Sequence, residues 1–252
     1  MAKLGDILEF LNGFVRLKDF TDFPGSYNGL QFENSGDIKK VAAAVDCGIA
    51  EVEAAAKWGA NLLMVHHGMF WTPPIPITGG AYRKIRALIN ADMAVYSCHL
   101  PLDAHRQIGN SALIAKALNL EITGSCFNYC GEDLAIVAKT PKGGRKELSS
   151  RLKKLFPKTY KGFEFGSKNP KSIVVCSGSG STSLSHLPLE GFDTMVCGEL
   201  KQGQYAYAQE NLLNVYPCGH YATECFGIDA LGRLAAEKFS LEYKFIKSEN
   251  PL

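Results

Sequence analysis

The 252-residue chain lacks any apolar stretch able to cross a bilayer. Runs such as Ala60–Val65 fall far short of the roughly 20 apolar residues that a membrane helix needs. An export signal is missing too: Asp6 and Glu9 interrupt the apolar pattern of MAKLGDILEFLNGFVRL, where a signal peptide has a basic start and an unbroken apolar centre. Ile7, Leu8, Leu11, Phe14 and Val15 instead fit one face of an amphipathic helix. A disulfide framework is not indicated either. The eight cysteines are scattered, and Cys98, Cys176 and Cys197 sit in apolar runs, so they read as small buried thiols. Cys126 and Cys130 have a spacing seen in zinc sites, but no second Cys/His pair lies nearby. These absences together predict a soluble, cytoplasmic protein with no membrane partner.

A strong net charge is also lacking, at +2. What charge there is collects locally: Lys139 to Lys171 holds 11 Lys/Arg and 2 Glu. That segment reads first as a solvated helix face with flanking strands. Attraction for nucleotides or nucleic acid is the alternative, and no aromatic-rich binding motif accompanies it.

What is present is an alternation of short β-like and helical segments, the pattern of an α/β protein. In the first half, strands are predicted over Lys40–Asp46, Asn61–His66 and Ala94–Cys98, with helices at Ile49–Trp58, Ala81–Asn90 and Asn110–Leu118. The second half reads as strands at Asp133–Lys139, Ser172–Ser177, Asp193–Cys197 and Leu213–Cys218. Its helices are Arg145–Phe156, Gln202–Gln209 and a closing Ile228–Lys238. The halves echo each other. Met64-Val65-His66 matches Met195-Val196-Cys197, and Val95-Tyr96-Ser97-Cys98-His99 matches Val215-Tyr216-Pro217-Cys218 with His220 following. Gly109, Ala112 and Leu113 correspond to Gly227, Ala230 and Leu231. The expectation is two similar α/β units from an internal duplication, 1–124 and 125–252, with a site between them at the carboxyl ends of the strands.

Three segments hold five of the six histidines. His66-His67-Gly68 closes an apolar strand, and neighbouring strand side chains point to opposite faces, so the pair is expected to splay toward two ions. His99-Leu100-Pro101-Leu102-Asp103-Ala104-His105 follows another strand, and Pro101 makes a loop of it. In Gly219-His220-Tyr221-Ala222-Thr223-Glu224, a helix starting near Thr223 lets His220 and Glu224 face one pocket. Imidazole with carboxylate suits zinc, iron, manganese or nickel, and a carboxylate can bridge two ions. Five or so ligands exceed one catalytic zinc with an open position and suit two divalent ions. Glu224 is the expected bridge. His99 is an outer ligand or proton carrier, His105 and His186 are surface or structural, and Glu199 after Gly198 supports the pocket. Ser177–Ser183 reads as a tight turn ahead of a phosphate cradle, because it lacks the Lys of a P-loop. Asn28-Gly29-Leu30-Gln31 reads as a turn that locks the first helix to the core.

Over nearly its whole length the chain resembles the NIF-three-like family, members of which are labelled GTP cyclohydrolase I type 2 homologue. The resemblance rests on Asn28-Gly29-Leu30-Gln31, His66-His67-Gly68, His99-Leu100-Pro101-Leu102-Asp103, Ser177-Gly178-Ser179-Gly180, Gly198-Glu199 and Gly219-His220-Tyr221-Ala222-Thr223-Glu224. It implies the compact form of the family's fold, with dinuclear metal ligands at His66, His67, Asp103, His220 and Glu224. It also implies a toroidal homohexamer. The function it suggests is a metal-dependent hydrolase of a nucleotide or other phosphorylated small molecule, with His99 as a catalytic proton carrier. The competing reading is a non-catalytic metal-binding scaffold, metallochaperone or interaction protein.

Overall fold

A computed structural model describes residues 1–71 and 76–250. The chain divides into two compact units, Met1–Leu102 with Gly227–Glu249, and Asp103–Phe226 with the last residues of the chain.

The first unit begins with β1 (Ala2–Lys3), α1 (Leu4–Phe14), β2 (Gly29–Phe32), β3 (Asp37–Ile38) and β4 (Lys40–Asp46). It continues through α2 (Ile49–Trp58), β5 (Leu62–His67), α3 (Gly79–Asn90), β6 (Ala94–Ser97) and the short α4 (Leu100–Asp103). The second holds α5 (Asn110–Ala117), β7 (Ile122–Tyr129), β8 (Glu132–Lys139), α6 (Gly144–Leu155), β9 (Phe163–Glu164) and β10 (Ser172–Cys176). After these come β11 (Thr194–Cys197), α7 (Gln202–Glu210) and β12 (Asn214–Pro217). Then α8 (His220–Phe239) leads to β13 (Glu242–Phe245), which is counted with the first unit.

A five-stranded sheet in the order β13-β4-β5-β6-β2 forms the centre of the first unit. Its strands β13, β4, β5 and β6 are parallel, and β2 is antiparallel to β6. Strands of a parallel sheet covered on both faces need apolar side chains on both. Val41 to Val45 and Leu62 to Val65 are accordingly almost fully buried. Val52 and Ala55 of α2 pack with Leu63, Val65 and Val95 in one core cluster. Gly59 ends α2 in the left-handed conformation at φ 84°, where a side chain would be strained.

The second unit is built on a six-stranded sheet, β7-β8-β10-β11-β12-β9. Alternate residues feed its two faces. Ile173, Val175, Val196 and Tyr216 pack on Leu148 and Leu152 of α6. Val174, Met195 and Val215 join Leu184 and Leu213 in a second cluster. Three consecutive parallel strands run β4-β5-β6 in one sheet and β10-β11-β12 in the other. Each trio carries an antiparallel strand on its last member, β2 on β6 and β9 on β12. The bonds just past the strand ends repeat as well: the N–H of Cys98 donates to Val65 O, and that of Cys218 to Cys197 O. The α/β class stands, and these parallels are consistent with the duplication.

Three local expectations are corrected. Asn28-Gly29-Leu30-Gln31 is not a turn: Gly29 opens β2, and Leu30 pairs with Tyr96. Residues 100–103 form a helical turn, because Pro101 stands near its start, where a missing N–H costs no helical bond. The final helix starts at His220, well before Ile228. Among the described residues no disulfide forms, and six of the eight cysteines are buried. Nine lysines between 139 and 171 are exposed, as a solvated face requires. Arg145 and Arg151 instead turn inward onto Glu164 and Glu147. Among the described residues no helix is long and apolar enough to cross a membrane.

Candidate functional site

In the first unit, β5 delivers His66 and His67 at its carboxyl end, and the residue after Cys98, just past β6, delivers His99. The ring centroids lie 4.8 Å apart for His66 and His67, 5.0 Å for His66 and His99, and 5.6 Å for His67 and His99. Each ring offers a nitrogen, and the three lie within 4.8 Å of one another. Adjacent residues of a regular strand would diverge. Here the strand is ending, and the rings of His66 and His67 converge.

Each imidazole is oriented through Nδ1. That of His66 lies 2.9 Å from Cys98 O, that of His67 2.8 Å from Asp46 Oδ1, and that of His99 2.9 Å from Asp22 Oδ1. A carbonyl or an ionised carboxylate can only accept, so Nδ1 carries the proton and Nε2 keeps its lone pair in the neutral ring. Histidines that bind metals are held in this way, by an oxygen acceptor on the ring nitrogen that faces away from the ion. Asp46 closes β4, where its residue pairs with His67 in the ladder. Asp22 is buried in the loop after α1. Burial alone would push its carboxyl up. Hydrogen bonds from His99, Asn28 and the Phe23 backbone outweigh this and hold it below the usual range.

Asn28 and Gln31 explain the first motif. Asn28 accepts the N–H of His99 at 2.7 Å and donates to Asp22 at 2.7 Å. Gln31 accepts the N–H of Met69 at 2.5 Å, and its amide lies against Gly68, where a Cβ would collide with it. Trp71 sets its ring edge-on to His67 and His99, at 5.6 and 4.8 Å. Asp22, Asp46 and Trp71 are not among the candidates drawn from the sequence. Asp46 has a signal there, an acid ending an otherwise apolar strand; Asp22 sits in a polar loop and has none.

In the second unit the helix start places His220 and Glu224 one turn apart, with His220 Nε2 3.2 Å from Glu224 Oε1. Glu199 takes His220 Nδ1 at 3.2 Å, the supporting role expected of it. The hydrogen bond and charge of Glu224, then those of Glu199, outweigh burial and raise the His220 pKa to about 9. Glu224 is 3% exposed. Gly178, at φ +57°, leaves room that a Cβ would take from the Glu224 carboxylate. The Gly178 N–H donates to Thr223 Oγ1 at 3.0 Å, which ties the Gly/Ser segment to the start of α8. Past Ser179 that segment becomes a 3-10 helix, Gly180–His186. Asp103 accepts from Asn110 at 2.8 Å and from Ser177 Oγ at 3.4 Å. His105 Nδ1 accepts the N–H groups of Gln107 and Ile108, and His186 is exposed.

Imidazole Nε2 groups and buried carboxylate oxygens are the donor set of a borderline divalent transition metal, so the residues fit such an ion.

The sequence model of the family described as Duf34/NIF3 (NGG1p interacting factor 3) matches residues 2–251. A Deinococcus radiodurans protein named GTP cyclohydrolase 1 type 2 homolog is 34% identical over 96% of this chain and 91% of its own length. An Archaeoglobus fulgidus protein of the same name is 33% identical over 96% and 97%. A crystal structure of a Thermus thermophilus protein covers 100% of both chains with a TM-score of 0.88 at 32% identity.

Proposed function

We propose that this chain, which belongs to the Duf34/NIF3 family, is a cytoplasmic dinuclear metal-binding protein that hydrolyses a nucleotide. The residues that would hold the ions are His66, His67, Asp103, His220 and Glu224. One observation carries the reading: His66, His67 and His99 each give up Nδ1 to an oxygen acceptor and keep Nε2 as the donor atom. Structural histidines have no need for three such matched arrangements within one cluster of donor atoms.

Divalent ions bound there supply Lewis acidity and a source of hydroxide near neutral pH. His99 does not need to be a ligand. With Nδ1–H held by Asp22, its Nε2 is the atom placed to carry a proton. Asn28 holds the His99 backbone, which keeps that atom in place. The relatives' shared name makes a guanine nucleotide the first substrate to test, while the fold by itself specifies none.

The test is metal analysis of reloaded protein, expected to give about two ions per chain, joined to hydrolysis assays on GTP and a nucleotide panel. Activity should vanish on metal removal and in Asp103→Ala. Activity that survives both overturns the mechanism. Two bound ions with no turnover across the panel would leave the metal site and favour the scaffold or metallochaperone role.

A further inference from the structure

The first unit also carries a cavity of about 940 Å³ that none of the proposed metal ligands lines. Its volume is that of a small-molecule site. Its wall includes Tyr27, Leu30, Met69, Phe70, Ile77 and Ile85, with Lys84 of α3 as the one charged residue among the described residues that line it. Met69 and Phe70 follow His67 by two and three residues, so the wall grows out of the strand end that carries the imidazoles.

Two features of this cavity point to a ligand. Its aromatic and aliphatic groups stand in water: Tyr27 is 57% exposed, Phe70 47% and Ile77 60%. Its cation forms no ion pair among the described residues: Lys84 Nζ donates to Cys47 O at 2.5 Å, and Asp46 and Glu51 lie near Cys47 without pairing with the lysine. The other polar side chains of the lining, Ser26, Tyr27 and Gln31, are neutral, and Gln31 already serves the chain at both ends of its amide: Nε2 donates to Tyr27 O and Oε1 accepts from Met69 N–H. What the cavity offers is therefore flat apolar surface and one positive charge.

We propose that this cavity binds a planar aromatic molecule bearing one negative group, its ring against Tyr27 and Phe70 and its anion on Lys84. Ring faces pack well against other rings, and an ammonium in an apolar surround favours a single anion over a neutral group. A metal cation is repelled by Lys84, and a polyanion meets only one charge. The proposal does not depend on the metal reading, and its test requires no metal.

The probe is 8-anilinonaphthalene-1-sulfonate, followed by fluorescence titration of the full chain with and without added metal. Saturable binding is expected. Tyr27→Ala, which keeps the backbone carbonyl that Gln31 uses, and Phe70→Ala should each weaken it about tenfold or more. Lys84→Met should weaken the sulfonate about tenfold yet leave the neutral N-phenyl-1-naphthylamine unchanged. Displacement by GMP assigns the site to a nucleotide, and displacement by 1-naphthoate alone to a simpler aromatic acid; either supports the proposal. Equal sulfonate affinity in the native chain and all three variants overturns it. So does a change of molecular mass, rather than of affinity, in Tyr27→Ala and Phe70→Ala, because this face is then covered by a second copy.

Discussion

Asp46 lies 2.8 Å from His67 Nδ1 and touches no proposed ion, yet it fixes which nitrogen the ring presents. Asp46→Asn removes the charge and lets the amide donate, which favours the wrong tautomer. A loss of roughly 10- to 100-fold in metal affinity is expected with little change in folding, measured by competitive metal titration. His220 has a pH signature of its own. Its folded-state pKa is raised from 6.5 to about 9, chiefly by the Glu224 hydrogen bond. The stabilisation is therefore fully present below pH 6.5 and is lost as pH rises through 9. Metal-free protein should lose at most about 3 kcal/mol of stability across that window, read from urea midpoints at both ends. His220→Gln should remove this dependence. Metal uptake has the opposite sign, because the ion must displace that proton and binds better as pH rises.

At the scale of elements, α8 shows how closely a helix can approach a sheet. Gly232 faces β4 and β13, and a Cβ there would lie 2.6 Å from the Tyr243 ring and 3.0 Å from the Ala43 side chain. Two effects compete in Gly232→Ala. The helix gains up to about 1 kcal/mol from the better helix former, and the packing loses about 1–3 kcal/mol to crowding. Tyr243 cannot swing aside cheaply, since its hydroxyl is bonded to Asp229 Oδ1 at 2.7 Å and Asp229 O at 3.1 Å. Crowding wins, and thermal melting should show net destabilisation of about 1 kcal/mol. The Asn28–Gln31 segment belongs to this scale too. Because Gly29–Gln31 belong to β2 beside β6, Asn28 just before the strand is held against His99, a role that a free turn could not hold.

At the scale of the whole molecule, the proposed assembly is a homohexamer of 27.4-kDa chains. Light scattering at micromolar concentration should give about six times the chain mass, and a monomer mass would contradict it. Metal binding should also appear as stability. Ions that bind the folded chain and not the unfolded one add about 2.7 kcal/mol at a free concentration 100 times Kd. Melting temperature should rise with added divalent ion and fall with a chelator. Asp103→Ala should flatten that response without lowering the metal-free melting temperature by a comparable amount.

The amino-acid sequence alone determined the α/β class and most of the central strands, because a strand buried on both faces has to be written as an apolar run such as Leu62–Val65 or Val174–Val175. It also marked the imidazoles at the strand ends, of which His66, His67 and His99 lie in a cluster that could hold a metal ion. Tertiary structure decided the rest. The pairing of Asp22 with His99 links residues 77 apart in the chain, and no local periodicity encodes such a contact. Where a turn was expected at Asn28–Gln31, Gly29 to Gln31 run as a strand because β6, about 65 residues later, pairs with that strand, and no local pattern announces that partner. The helix at Leu100–Asp103 overrides the loop reading because Pro101 falls where the helix asks nothing of its nitrogen. The last strand, β13, belongs to the first unit because its parallel partner, β4, lies some 200 residues earlier, a pairing that only the assembled sheet makes.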